Sequence, residues 1–336
     1  MIRFRFFRMV LLLGFFLPAL NAAEYSEGSV KLALMEGSGR FSLYASNAGS
    51  RTGYEPLFAD QDLRTSFLSV MVNDRSYKLG DTSTFKIRLG TDPDRPSLIF
   101  ESPFLLVTEE FSFIKTEGSQ DTNGVSLTIT LENRGDPSAL GARLLLDTSL
   151  GEGGRQPPFT TSGRSIESET LIEKGSPESW WFSGGSGLFL MGSIFNSAGD
   201  GPDSVHFANW KRLNDVPWKA PYAAGRNFNA PPYSVGDSAV CYYFEPRLLA
   251  RRERRSFTVT LAAWRGPALP QVTAIGPSDA VQGDERQQDL ALIRQLIATI
   301  DGCLAAGGAS EEELASMEQT LRRLMNKYGF SPPSQQ

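Results

Sequence analysis

The sequence predicts a mainly β protein: a large, supersandwich-like antiparallel β-sandwich followed by a C-terminal antiparallel helical hairpin. Three observations predict it. Apolar residues recur at every second position from about residue 28 to residue 265, the rhythm of strands with one buried and one wet face. No helical period interrupts that stretch, and without crossover helices the strands pair antiparallel. After Pro277 the rhythm becomes three-then-four, which lays one apolar stripe along a helix.

At the N-terminus, Arg3, Arg5 and Arg8 precede an apolar run from Met9 to Leu20, and Asn21-Ala22-Ala23 leads into Glu24. A basic start, a short apolar run and small residues are the pattern of a cleaved secretory signal, cut after Ala22 or Ala23. Spanning a bilayer takes roughly 20 apolar residues, more than this run supplies. The expectation is a signal peptide over residues 1–22 and export to the periplasm or cell envelope, with no transmembrane span after cleavage.

The sandwich domain is expected over residues 24–275. Val30, Leu32 and Leu34 open the alternation. Val125, Leu127, Ile129 and Leu131 alternate with Ser126, Thr128, Thr130 and Glu132, and Phe257, Val259 and Leu261 alternate with Ser256, Thr258 and Thr260. Leu68, Val70 and Val72 run into Asn73-Asp74 and then Tyr77 and Leu79, a hairpin with a tight turn. Further strands are expected over 39–45, 84–89, 97–101, 104–116, 139–148, 165–173, 187–195, 203–209 and 237–245. So many short strands exceed an immunoglobulin-type unit, and no repeat divides them, which favours one large sandwich. Residues 151–164, 196–204 and 214–237 are long loops rich in Gly, Pro, Asn and Asp.

Past residue 276 the stripes are Leu290, Ile293, Ile297, Ile300 with Leu304, and Leu314, Met317, Leu321, Leu324 with Tyr328, separated by Ala-Ala-Gly-Gly. Ser310 with Glu313 forms a capping box before the second stripe. Two matched stripes and a Gly-rich connection predict a helical hairpin over 276–336, ending in a short disordered tail. Two narrow stripes need a further surface. That surface is the chain's own sandwich, or a protein partner or second copy held through Leu290, Ile293, Ile297, Ile300, Leu314, Met317, Leu321 and Leu324.

Composition limits the chemistry. The 336 residues include one His and two Cys and carry a net charge of −5. The acidic balance argues against a nucleic-acid partner, and one His cannot furnish paired-His catalysis or a His-rich zinc site. Cys241 and Cys303 lie in a strand-like and a helix-like run, and two buried unpaired thiols are expected. There is no Gly-x-Ser-x-Gly elbow, phosphate-binding Gly loop or calcium loop, so no catalytic residue, metal or cofactor is assigned. The ligand candidates are Trp180, Trp181, Trp210 and Trp218, whose faces can stack on sugar rings, with His206, Asn209, Asp147 and Asp237 to take hydroxyls. Each has a structural alternative: core packing for the aromatics, a turn or cap for the acids. The run Arg251-Arg252-Glu253-Arg254-Arg255 reads as a solvated tip or as a contact for an anionic partner or lipid head group.

GVSLTITLENRG (124–135), ARLLLDTSLGE (142–152), VHFANW (205–210) and DSAVCYYFEPRLLARRERRSFTV (237–259) together resemble an uncharacterised family of exported bacterial large β-sandwich proteins. Its members usually read Leu-x-Pro-Gly-Glu before the last strand, where this chain has Leu249-Ala250-Arg251-Arg252-Glu253. The resemblance implies an exported sandwich and brings no activity or catalytic residue. A looser likeness to galactose-mutarotase-type sandwiches is topological, since that chemistry uses paired His with a Glu. The function expected is a non-enzymatic envelope scaffold whose hairpin braces it or contacts a partner. The alternative is a carbohydrate-binding or carbohydrate-processing sandwich using aromatic-rich loops, and a third reading is a hydrolase built on two carboxylates.

Overall fold

The structure is a computed structural model that describes residues 22–47, 49–59, 64–148, 159–161, 164–185, 187–195 and 201–266, with positions 299, 310, 318 and 320. The chain divides into two compact units, Met1–Ala274 and Ile275–Gln336. In chain order the strands are β1 (Ala22–Glu27), β2 (Val30–Met35), β3 (Arg40–Ser46), β4 (Tyr54–Pro56), β5 (Phe67–Val72), β6 (Arg75–Lys78), β7 (Lys86–Leu89), β8 (Ser97–Glu101), β9 (Leu105–Ile114) and β10 (Gly124–Asn133). There follow β11 (Ser138–Asp147), β12 (Phe159–Thr161), β13 (Ser165–Ile166), β14 (Thr170–Glu173), β15 (Trp180–Gly185), β16 (Leu188–Ser193) and β17 (Ser204–Asn209), then the short helix α1 (Trp210–Asn214), β18 (Ser238–Leu249) and β19 (Arg254–Arg265).

These strands form three sheets. An N-terminal sheet runs β1-β2-β3-β4, a wide one β13-β12-β15-β16-β19-β10-β9-β8-β7, and a narrow one β14-β17-β18-β11-β5-β6. Neighbours pair antiparallel, as in β10 with β9 and β19, and β11 with β5 and β18. The hairpin β5–β6 closes on Asn73 in left-handed conformation, φ 53°, a backbone state Asn tolerates. The Asn73 side chain then accepts the Ala139 N–H at 2.9 Å, tying the turn to β11.

Alternation decides what lies inside. Val125, Leu127 and Ile129 of β10, Val259 and Leu261 of β19, and Val107 and Phe111 of β9 face the inner surface of the narrow sheet, where Val70, Leu144, Leu146, Val205, Phe207, Val240 and Tyr242 meet them in one buried cluster. Leu32, Leu34, Phe41 and Leu43 of the N-terminal sheet join the same cluster. Trp181, Phe159 and Phe207 pack edge to face within it, and the Trp181 Nε1–H donates to the Tyr242 hydroxyl at 2.6 Å. One polar residue breaks the pattern. Glu109 of β9 faces inward, paired in register with Leu98 and Ile129, and burial pushes its carboxyl up to about 8, opposed by the Arg40 guanidinium.

The protein is thus mainly β with antiparallel sheets, and three expectations change in detail. The stretch 165–173 is not one strand: β13 belongs to the wide sheet and β14 to the narrow one, with buried Glu169 between them. The basic run 251–255 is not wholly a solvated tip, because Arg255 is buried, donates to the Glu245 carbonyl at 2.6 Å and lies over the Phe257 ring. The third is that β1, β4, β12 and β15 add to the expected strands. Cys241 is a free, buried thiol; Cys303 lies outside the described residues.

The signal segment up to residue 21 and the hairpin with its two stripes also lie outside the described residues. Past residue 275, Thr299, Glu318 and Thr320 are helical. Among the described residues no helix is long and apolar enough to cross a membrane.

Candidate functional site

The outer face of the narrow sheet differs from an ordinary wet face. Alternation sends Arg143, Leu145 and Asp147 of β11 outward, with Ala239, Cys241 and Tyr243 of β18, His206 and Ala208 of β17, and Phe67 of β5. The segment after β17 covers part of this face. Leu213 and Ala220 pack with Phe67, Leu145, Ala208, Ala239, Cys241 and Tyr243 in a second buried cluster, with Trp210 and Val216 against it. Asn209 starts the cover: its Oδ1 caps α1 by accepting the Arg212 N–H at 3.3 Å, which satisfies an otherwise unpaired helical donor. Its Nδ2 lies 3.0 Å from the carbonyls of Phe228 and Asp237 and from Ser234 Oγ, fixing the far end of the loop.

At this end of the sheet two carboxylates come together. Asp147, at the end of β11, is 7% exposed. Burial raises its carboxyl to about 6, the Thr65 side chain opposes that by hydrogen bonding to it, and the charge of Asp237 adds to the rise. Asp237, just before β18, is half-buried; burial raises it too, against a hydrogen bond from Ser234. Burial is thus the main cause that raises both acids, with a smaller like-charge contribution from Asp237 at Asp147. Trp210 binds the same rim: its Nε1–H donates to the Thr65 carbonyl at 2.8 Å and its backbone N–H to the Asp237 carbonyl at 3.0 Å. Tyr233 stands beyond it, 74% exposed, with Lys211 Nζ 4.9 Å from its ring centre.

Next to this rim a buried charge cluster holds the cover down. Glu169 Oε1 lies 3.0 Å from His206 Nε2 and accepts the Ala223 N–H at 2.8 Å, while Oε2 meets the Arg212 guanidinium. Burial lowers His206 to about 4, helped by the charges of Lys219 and Arg143. His206 is therefore neutral at physiological pH, and with Nε2 donating to Glu169 its Nδ1 is left buried without a hydrogen-bond partner. Arg143 is buried as well: its Nε approaches Cys241 Sγ at 3.2 Å, and its other nitrogens donate to the carbonyls of Val216 and Leu213.

The eight ligand candidates separate. Asp147, Asp237, Asn209 and Trp210 share one rim. Trp218 lies further along the same face, half-buried and edge-on to Tyr243 at 6.3 Å. His206 is on the face but 1% exposed, so its role there is to anchor the cover. Trp181 belongs to the core between the sheets, and Trp180 lies on the opposite side of the sandwich with Phe182, Met191 and Ala262; neither can reach a ligand at the rim. The sequence reading missed Glu169, Arg212, Arg143 and Thr65. Arg143 had a signal, a charge inside the apolar strand Ala142 to Leu146, since buried charges demand partners. Glu169 and Arg212 had none.

No protein-family model and no curated protein matches the chain. Solved structures do match. A candidate aldose 1-epimerase from Escherichia coli K12 aligns with 10% identity and a TM-score of 0.43 over 73% of this chain and 99% of its own. A polysaccharide lyase aligns with 10% identity and a TM-score of 0.37 over 72% of this chain and 33% of its own. A mutant of the heparan sulfate lyase HepC from Pedobacter heparinus aligns with 10% identity and a TM-score of 0.37 over 75% of this chain and 36% of its own. The chain thus spans about a third of the length of either lyase. The expected non-enzymatic scaffold is corrected by this set, in which each structure is that of a carbohydrate-active enzyme. At these scores the likeness assigns no activity to this chain.

Proposed function

We propose that the chain is a carbohydrate-processing β-sandwich protein whose ligand lies on the outer face of the narrow sheet, at the rim formed by Asp147, Asp237 and Trp210. The observation that supports this most is the carboxylate pair, with Asp147 held at about 6. A carboxyl in that range is part acid and part base near neutral pH, the condition for moving a proton to or from a sugar oxygen. In this reading Asp147 supplies the proton and Asp237 accepts one. Trp210 and Tyr233 offer ring faces, and the hydroxyls of Thr65 and Ser234 orient the acids. Export is proposed with it, supported by the basic, apolar and small-residue succession before Glu24; N-terminal sequencing of the protein from its source would detect an intact residue 1 if the idea is wrong.

The test is turnover and binding on a panel of oligosaccharides and polysaccharides. Asp147→Asn and Asp237→Asn keep the size of each side chain and remove the ionisable oxygen. Each is expected to abolish turnover of the sugar that wild type processes while leaving binding within a few-fold. A wild-type protein that neither binds nor alters any member of the panel would overturn the proposal, as would full turnover in both variants.

A further inference from the structure

The opposite end of β11 and β18 from the carboxylate rim carries a second polar feature. A cleft of about 430 Å³ opens between Glu132, Arg134, Arg251, Arg252 and Arg254. It lies where the chain twice crosses from one sheet to the other, from β10 to β11 and from β18 to β19. Buried Asn133 locks the two crossings together. Its backbone N–H donates to the Glu253 carbonyl at 3.0 Å, its carbonyl accepts the Arg252 N–H at 2.6 Å, and its Nδ2 donates to the carbonyls of Leu249 and Asp136, each at 2.9 Å. The arginines thus project from a braced frame, which lowers the ordering loss when they engage a ligand.

Charge in the cleft is unbalanced. Arg254 pairs with Glu132, and Arg134 with Glu101 and Glu132. Glu253, in the turn itself, directs its carboxylate to the Ala250 N–H at 2.6 Å. Arg251 and Arg252 are exposed and have no carboxylate within ion-pair distance among the described residues. Arg252 also holds φ at 68°, a left-handed state that crowds any Cβ against the backbone and suits glycine. A cation therefore stands at a position whose backbone conformation favours glycine, in a protein of net charge −5.

We propose that this cleft binds an oxyanion group, sulfate or carboxylate, carried on a sugar. The guanidinium fork matches such groups two bonds at a time, which a Lys ammonium does not. The concave shape and volume suit a sugar unit rather than a flat lipid surface, and Glu132 can accept hydroxyls between the charged groups. The sugar part rests on the function proposed above; the anion part does not.

Titration calorimetry on the full chain tests it, with a sulfated oligosaccharide, a uronate oligosaccharide, inorganic sulfate and anionic phospholipid vesicles as probes. At least one charged oligosaccharide is expected to bind, more weakly as salt rises. Arg251→Gln and Arg252→Gly are each expected to weaken it about tenfold or more. Arg252→Gly relieves the left-handed strain, so its melting temperature holds or rises while binding falls, which separates binding from folding. The proposal is overturned if wild type binds neither oligosaccharide, if both arginine variants bind as wild type does, or if only vesicles or only inorganic sulfate bind. Charged sugars bound here by a protein without turnover anywhere would sustain the cleft and refute the enzymatic rim.

Discussion

The β10–β19 part of the wide sheet's outer face and the outer face of the narrow sheet are built by the same alternation and end in opposite conditions. On the wide sheet, β10 and β19 turn out Ser126, Thr128, Thr130 and Ser256, Thr258, Thr260, which pair across the strands, Thr130 with Ser256 at 2.9 Å. On the narrow sheet, the matching positions hold Arg143, Asp147, Cys241, Tyr243 and His206, most of them buried under α1 and the loop behind it. A hydroxyl ladder is satisfied by water and by itself. A covered face of charges is satisfied only by partners the fold supplies, and it is there that proton affinities move. The contrast teaches where chemistry can reside in a chain with one His: under the cover, where burial does the tuning.

The largest expected effect comes from breaking the cluster that holds the cover. Glu169→Ala removes the acceptor of His206, Arg212 and the Ala223 N–H together. Truncating one partner of a buried ion pair typically costs about 3 kcal/mol or more, and denaturant unfolding reads it directly. A loss below about 1 kcal/mol, the range of exposed pairs, would mean that the cover is not pinned by this charge.

Glu109 sharpens the comparison from inside the core. Its folded-state value of about 8 lies above the ordinary 4.5. The unfolded chain therefore releases this proton first as pH rises, and stability falls between about pH 4.5 and pH 8. Glu109→Gln is expected to flatten that part of the pH–stability curve and to exceed wild type in stability at pH 8. The same curve for wild type and variant, overlaid within error, would show that Arg40 neutralises the carboxylate after all.

Asp147 brings the same logic to the rim with a smaller window. Its ordinary 3.8 is raised to about 6, so stability drops from about pH 4 to pH 6 and stays lower above. Asp147→Asn is expected to gain about 1–3 kcal/mol at pH 7 relative to wild type, even as it abolishes turnover. A site residue that destabilises its own fold is what a functional carboxyl looks like thermodynamically; a destabilised Asn variant would instead mark Asp147 as a turn residue.

How much of this was legible follows from what alternation records. Val125 to Leu131 and Phe257 to Leu261 were readable because one face is wet, so polar and apolar residues take turns. Leu144-Leu145-Leu146 and Val240 to Phe244 are continuous apolar runs, and such runs belong to strands covered on both faces. That signal marks the cover over the narrow sheet, which an expectation of simple alternation does not include. Asp147 and Asp237 stand out by their places at strand ends, but their meeting depends on the register that β11 and β18 hold after the shift between Leu140 and Ala142, with Asp147 opposite Ala239, which no local pattern encodes. Trp180 and Trp181 are adjacent in sequence and point to opposite faces of one strand, so neither could stand for the other. The β13–β14 break was invisible because a strand that changes sheets keeps its β propensity on either side.

The smallest expected effect tests the quiet side of the comparison. Thr128 and Thr258 stand opposite each other on the wide sheet, their hydroxyls 3.5 Å apart. Both are partly exposed, so a lost contact is replaced by water. Thr128→Ala and Thr258→Ala are each expected to change stability by no more than about 0.5 kcal/mol, with a coupling between them near the lower end of cross-strand pairs. A double-mutant cycle by denaturant unfolding measures this. Coupling of 1 kcal/mol or more would mean that this part of the face is not simply solvated, and that the covered patch of Trp180, Phe182, Met191 and Ala262 on the wide sheet extends to it. The asymmetry that places the chemistry on the narrow sheet would then need another cause than burial.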